Sequence, residues 1–200
     1  MAAIRQSPLF HRHERAGASF VDHYGWRIPA CFTIAQKEVE QLSKSVAVSD
    51  VTWMVKLDMK GLQTPPEIVD GTAWRLGPRR FLVTCPPKAS TLEVTPPAYI
   101  TDLTSVYAQF LLAGPRSHDV LRKLTSLNVT TLGNLACGQA SVAHAHGTLL
   151  RDDIGPIPAF HILVSREYGE SVWDAILHAG HEFHIVPFGL KALEFLGGRT

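Results

Sequence analysis

Ten histidines in 200 residues are the first groups that could do chemistry, because imidazole titrates near neutrality and ligates metals. His11 and His13 are one residue apart, as are His144 and His146, while His178, His181 and His184 follow at intervals of three. A helix would bring His178 beside His181, as a metal site needs. Gly180 falls between them, however, and should end the helix and scatter the group. The spacing therefore favours partly exposed imidazoles at a helix end, where a positive charge suits the dipole; no metal site is expected. On a strand, His144 and His146 would share one face, and the same reading applies. Asp152-Asp153 has the form of a carboxylate pair for acid–base work but lies in a Gly/Pro-rich stretch that reads as a solvated turn. Asp70 before Gly71 is a turn signal on local grounds. Trp53, Trp74 and Trp173 are most simply core aromatics. Cys31, Cys85 and Cys137 are scattered and form no CxxC pair, which argues for buried or half-buried thiols over a disulfide framework or structural zinc. The sequence has no GxSxG, P-loop, GxGxxG or HExxH, which removes the common nucleotide and hydrolase chemistries.

The elements that must position these groups follow from periodicity. Leu9 to Ala18 reads as a short polar helix, and Phe20 to Pro29 as a strand and turn carrying Tyr24 and Trp26. Ile34 to Ser45 has helical spacing, with Lys37, Glu38, Glu40 and Lys44 on the wet face. Val46 to Met59 is strand-rich and interrupted at Asp50. Glu67 to Gly77 and Arg79 to Cys85 read as two strands of a hairpin. Pro96-Pro97 is the best internal boundary. Beyond it, Tyr107 to Ala113 is an apolar strand, and Ser117 can cap a helix that runs on to Leu127. Ala140 to Leu150 alternates loosely, as one strand would. Phe160 to Val164 reads as a strand, Glu167 to Ala179 as a helix and His184 to Pro187 as a short strand. This order lacks a steady β-α-β beat and favours an α+β fold with antiparallel sheets.

Hydrophobic residues make up 46% and the net charge is +1. That composition excludes a mostly disordered chain and leaves no basic surplus for nucleic acid or an anionic membrane. No apolar run reaches the roughly 20 residues of a membrane span. The N-terminus has no apolar signal region, so a cytoplasmic protein is expected.

Four blocks occur in order. They are Ser7-Pro8-Leu9-Phe10 with His13, Gly17-Ala18 and Gly25-Trp26-Arg27-Ile28-Pro29; Ser45 through Met54; Phe110 through Arg116; and Pro187 through Ala192. Together they resemble the glycine-cleavage T-protein (aminomethyltransferase) family. The middle, including Trp74-Arg75-Leu76-Gly77-Pro78, Cys137-Gly138-Gln139-Ala140 and Phe160 through Val164, also resembles the gamma subunit of heterotetrameric sarcosine oxidase. The resemblance implies a folate-binding-type α+β fold of two pseudo-symmetric units, 1–97 and 98–200, that share one core around a funnel for a reduced folate. It puts Asp70 at the catalytic carboxylate and Trp53, Met54, Thr72, Trp74, His161 and Lys191 around tetrahydrofolate.

The chain departs from the family pattern at two anchors. His161 stands where the pterin-binding Glu is expected, and Leu193 where the folate-tail Arg is expected. A neutral imidazole offers one acceptor where a carboxylate offers several, and Leu has no guanidinium fork. Each loss is worth a few kcal/mol, on the order of a hundredfold in affinity. With the chain stopping at Thr200, the family's C-terminal barrel domain is expected to be absent. Two functions stay open. One is folate-linked methylene or methyl transfer, with Asp70 assisting and Lys191 or Arg75 near the folate tail, within a complex or homo-oligomer. The other is a non-catalytic subunit of a sarcosine-type amine oxidase that no longer binds folate.

Overall fold

Largely apolar runs such as Tyr107–Ala113 and Ala159–Ser165, buried along nearly their whole length, build the central sheet. The computed structural model describes residues 4–89 and 98–197. In chain order the elements are β1 (Arg5–Gln6), α1 (Phe10–Arg15), β2 (Ser19–His23), β3 (Trp26–Cys31), α2 (Ala35–Lys44), β4 (Ala47–Asp50), β5 (Val55–Lys60), β6 (Thr72–Gly77), β7 (Arg80–Cys85) and β8 (Tyr99–Asp102). They continue with β9 (Tyr107–Ala113), α3 (Ser117–Leu124), β10 (Cys137–Val142), β11 (Ala145–Arg151), β12 (Ala159–Ser165), α4 (Gly169–Gly180), β13 (Val186–Pro187) and α5 (Leu190–Phe195). The fold is α+β, with three sheets in which antiparallel pairing prevails. Six strands run in the order β10-β11-β12-β9-β4-β13, four in the order β6-β7-β5-β8, and three in the order β1-β3-β2. Pro96-Pro97, the expected boundary, lies outside the described residues. β8, beyond it, pairs with β5, and β4, before it, pairs with β9.

The six-stranded sheet is covered on both faces. On one, Phe110, Leu112, Phe160, Ile162 and Val164 pack with Val120 and Leu121 of α3 and with Val172, Trp173 and Ile176 of α4. On the other, Ala47, Leu111, Ala113 and Ala159 pack with Leu42 of α2, Phe188, and Ala192 and Leu193 of α5. Because side chains alternate and His161 pairs with Leu111 and Leu163 with Gln109, Gln109, Leu111 and His161 share this second face. Trp74 and Leu82 of the four-stranded sheet meet Leu150 and Leu163 and tie the two sheets together.

Four local expectations are corrected. The span from Glu67 to Gly77 is strand only from Thr72, because Asp70 takes a left-handed φ of 56°. Gly71 then packs so tightly that a Cβ there would lie 2.5 Å from Ile68 Cγ2. Ala140 to Leu150 belongs to two strands, β10 and β11, joined through Ala143 and His144 at φ 49° and 68°. His144 is thus a turn residue and shares no strand face with His146. The helix expected to run to Leu127 ends at Leu124. Ser117 is its first helical residue, not its cap, and the buried hydroxyl has no hydrogen-bond partner. Glu38, expected on the wet face of α2, is 2% exposed.

Candidate functional site

A cavity of about 220 Å³ opens on the second face of the central sheet, walled by Val51, Met54, Leu111, Asp152, His161 and Leu193 among others. Its floor is organised by β9 and β12. The Gln109 amide Nε2 donates to His161 Nδ1 at 3.0 Å and lies 3.8 Å from Met54 Sδ. The Gln109 Oε1 is buried and finds no hydrogen-bond partner among the described residues. At the rim, Asp153 is gripped by Arg151, with Nε–Oδ1 and Nη2–Oδ2 both at 3.0 Å. Asp152-Asp153 is therefore half-buried structure, not a solvated turn. Thr72 Oγ1 reaches Asp152 Oδ2 at 3.5 Å.

The Val51–Met54 loop that supplies this wall is fixed from behind by buried charge. Asp50 accepts from Ser7 Oγ, from His13 Nε2 at 2.9 Å and from the Thr52 amide at 3.0 Å. Burial pushes the Asp50 carboxyl up, but hydrogen bonds from His13, Ser7 and Thr52 outweigh it and hold it below the usual carboxylate range. The fully buried Lys56 Nζ donates to the Thr52 and Met54 carbonyls, both at 2.8 Å. Burial lowers this amine to about 7. Glu38 pins the opposite side. Its carboxylate accepts from the Phe32 and Thr33 amides at 2.6 and 2.8 Å and from the Gly189 amide, ahead of α5, at 2.9 Å. Sequence spacing misses all these roles, because each partner is distant in the chain or is a backbone group.

The residues singled out from sequence separate into groups. Met54, His161 and Leu193 line the cavity, and Thr72 stands at its edge through Asp152. Asp70 is exposed in the turn before β6, and Lys191 is exposed on α5. Trp53 is buried against His23 and Tyr24 and lines a different cavity. Trp74 is fully buried, with its indole N–H donating to Thr84 Oγ1 at 2.8 Å. Arg75 lies over the Phe81 ring at 4.6 Å. All three cysteines are free thiols, Cys85 buried and the others half-buried. Among the described residues, no group of three or more His, Cys, Asp or Glu could hold a metal, and no helix is long and apolar enough to cross a membrane.

Comparison with known proteins agrees with this architecture. The chain is 24% identical to an aminomethyltransferase of Saccharopolyspora erythraea, over 98% of this chain and 64% of that protein. It is also 24% identical to sarcosine oxidase subunit alpha of Rhizobium meliloti, over 96% of this chain and 25% of that one. The chain thus spans less than two thirds of the aminomethyltransferase. Among solved structures, the glycine-cleavage aminomethyltransferase T of Bartonella henselae superposes with a TM-score of 0.74 at 18% identity, covering 96% of this chain and 62% of that one. A chain of heterotetrameric sarcosine oxidase from Corynebacterium sp. U-96 gives 0.61 at 20% identity, covering 90% of this chain and 96% of that one. The GCVT N-terminal domain model matches residues 67–197, well over half of the sequence, and the chain belongs to that family.

Proposed function

We propose that this chain is a T-protein-fold subunit of a hetero-oligomeric, sarcosine-type amine-oxidising complex, supporting the assembly without performing folate chemistry of its own. The observation that carries this reading is the wall of the first cavity. The two positions that the family resemblance assigns to folate anchors are His161 and Leu193, and both line it. Leu193 is 3% exposed and packs into the core beside Phe188 and Ala192, so it can grip no anionic tail. His161 is engaged by Gln109 at Nδ1, and a neutral imidazole offers one acceptor where a carboxylate offers several. At about 220 Å³ the cavity is smaller than the roughly 300–1,000 Å³ usual for drug-sized ligands. These walls support a reading without folate chemistry. Two comparisons support a complex: a sarcosine oxidase subunit contains a relative of this chain as a quarter of its length, and a heterotetrameric sarcosine oxidase contains a chain of matching fold and span.

A second reading is folate-linked one-carbon transfer with Asp70 as the catalytic carboxylate. It draws on the aminomethyltransferase relatives and on the gathering of Met54, Thr72 and His161 at one cavity. Fluorescence titration of the purified chain with tetrahydrofolate separates the two readings. The subunit reading expects no saturable binding below millimolar folate. Tight binding that is lost in Asp70→Asn would replace it with the transferase reading.

A further inference from the structure

A second cavity, of about 240 Å³, shares the Val51–Met54 loop with the first, Trp53 forming its wall as Met54 forms the other's. Its apolar lining includes Trp26, Trp53, Val55, Leu57 and Pro87. Two opposite charges stand on the same cavity, Arg5 on β1 and Asp102 at the end of β8. Both are exposed, and they do not pair with one another. The Arg5 guanidinium lies over the Trp26 ring, 5.8 Å from its centroid. Asp102 accepts the Thr104 amide at 2.8 Å on one oxygen. Neither makes an ion pair with any described residue. At the mouth, Tyr24 is 44% exposed, its backbone is held at φ 46°, and its ring stacks toward Trp53 at 6.5 Å. That φ belongs to the two-residue Tyr24-Gly25 turn, with Gly25 at φ 76°, that joins β2 to β3.

We propose that this cavity binds a small zwitterion of the α-amino-acid class. The ligand carboxylate faces Arg5, its ammonium faces Asp102, and its apolar part rests on Trp26 and Trp53. Charge matching selects this class. A simple carboxylate satisfies Arg5 but meets repulsion from Asp102, and a simple amine reverses the conflict; a zwitterion answers both. The aromatic walls favour an ammonium beside its carbon substituents. The volume lies below the range for drug-sized ligands and suits a molecule of amino-acid size. The site stands apart from the assembly proposed above, since neither a folate titration nor partner binding reports on it.

Trp26 and Trp53 supply an intrinsic fluorescence signal at the cavity. The probe is L-proline, set against two ring-matched compounds that each lack one charge, pyrrolidine and cyclopentanecarboxylate. Proline is expected to give a saturable change, with both half-ligands weaker by about tenfold or more. Arg5→Gln and Asp102→Asn should each weaken proline by about tenfold, while Arg5→Lys retains most of the binding. Both positions are exposed, so the unfolding midpoints should match the parent and exclude misfolding as the cause. The proposal is overturned by any of three results: no saturable response to proline at millimolar concentration, cyclopentanecarboxylate or pyrrolidine binding as tightly as proline, or binding unchanged in both variants.

Discussion

Around the first cavity nearly every buried charge is spent on the protein itself, whereas the second cavity keeps two opposite, exposed charges outside any ion pair among the described residues. Asp50, Glu38 and Lys56 hold backbone amides or carbonyls of the segments that wall the first cavity, and Asp153 is closed by Arg151. Arg5 lies over Trp26 and Asp102 holds the Thr104 amide on one oxygen, but neither is in an ion pair with a described residue. The difference separates scaffold from opportunity. Charges that satisfy backbone groups are costly to remove and have little left to offer a ligand, while exposed unpaired charges are cheap to change and available.

The contrast can be broken most sharply at Asp50. Asp50→Ala strands Ser7, His13 and the Thr52 amide in the core and should destabilise by roughly 3–5 kcal/mol, read by urea denaturation. Glu38→Gln keeps one acceptor oxygen but turns an amide against backbone N–H groups, and a loss of about 2–4 kcal/mol is expected. Acid should find the same weak point. The Asp50 carboxyl sits below its usual range, so its contribution is complete above about pH 4, the ordinary value, and disappears as pH falls through the folded-state value. Lys56 acts in the opposite direction. Its folded pKa of about 7 lies below the ordinary value of about 10.4, so the unfolded chain holds more protons between the two. Stability should therefore rise with pH across that window, by up to about 1.4 kcal/mol per unit. Denaturation midpoints at successive pH values should show this slope in the parent and lose it in Lys56→Met. The smallest effects belong to the second cavity: Arg5→Gln and Asp102→Asn should each change stability by less than about 0.5 kcal/mol. A cost there equal to that at Asp50 would erase the distinction.

Much of the fold is legible in the sequence where one period prevails. Tyr107–Ala113 reads as a strand to the residue, and the apolar face of α2 and the α4 helix follow from their spacing. The β10–β11 hairpin is hidden because Ala143-His144 lacks the Asn or Gly that marks a left-handed two-residue turn. Glu38 is hidden because its partners are backbone amides on either side of the core, one of them 151 residues away. The first cavity is only partly legible. His161 and Leu193 come into view through family resemblance, while Gln109, which orients His161 from 52 residues away, has no local mark. The second cavity leaves no motif, because Arg5 and Asp102 meet only through the pairing of β1 with β3 and of β8 with β5.

The proposed subunit role is tested most directly by purifying the tagged chain from its native cells and measuring native mass together with N-methyl amine oxidation in the same fraction. The account predicts a stoichiometric hetero-oligomer that oxidises N-methylglycine and releases the chain only on dissociation. A chain that elutes alone as a stable monomer, with all the amine-oxidising activity in other fractions, would contradict it.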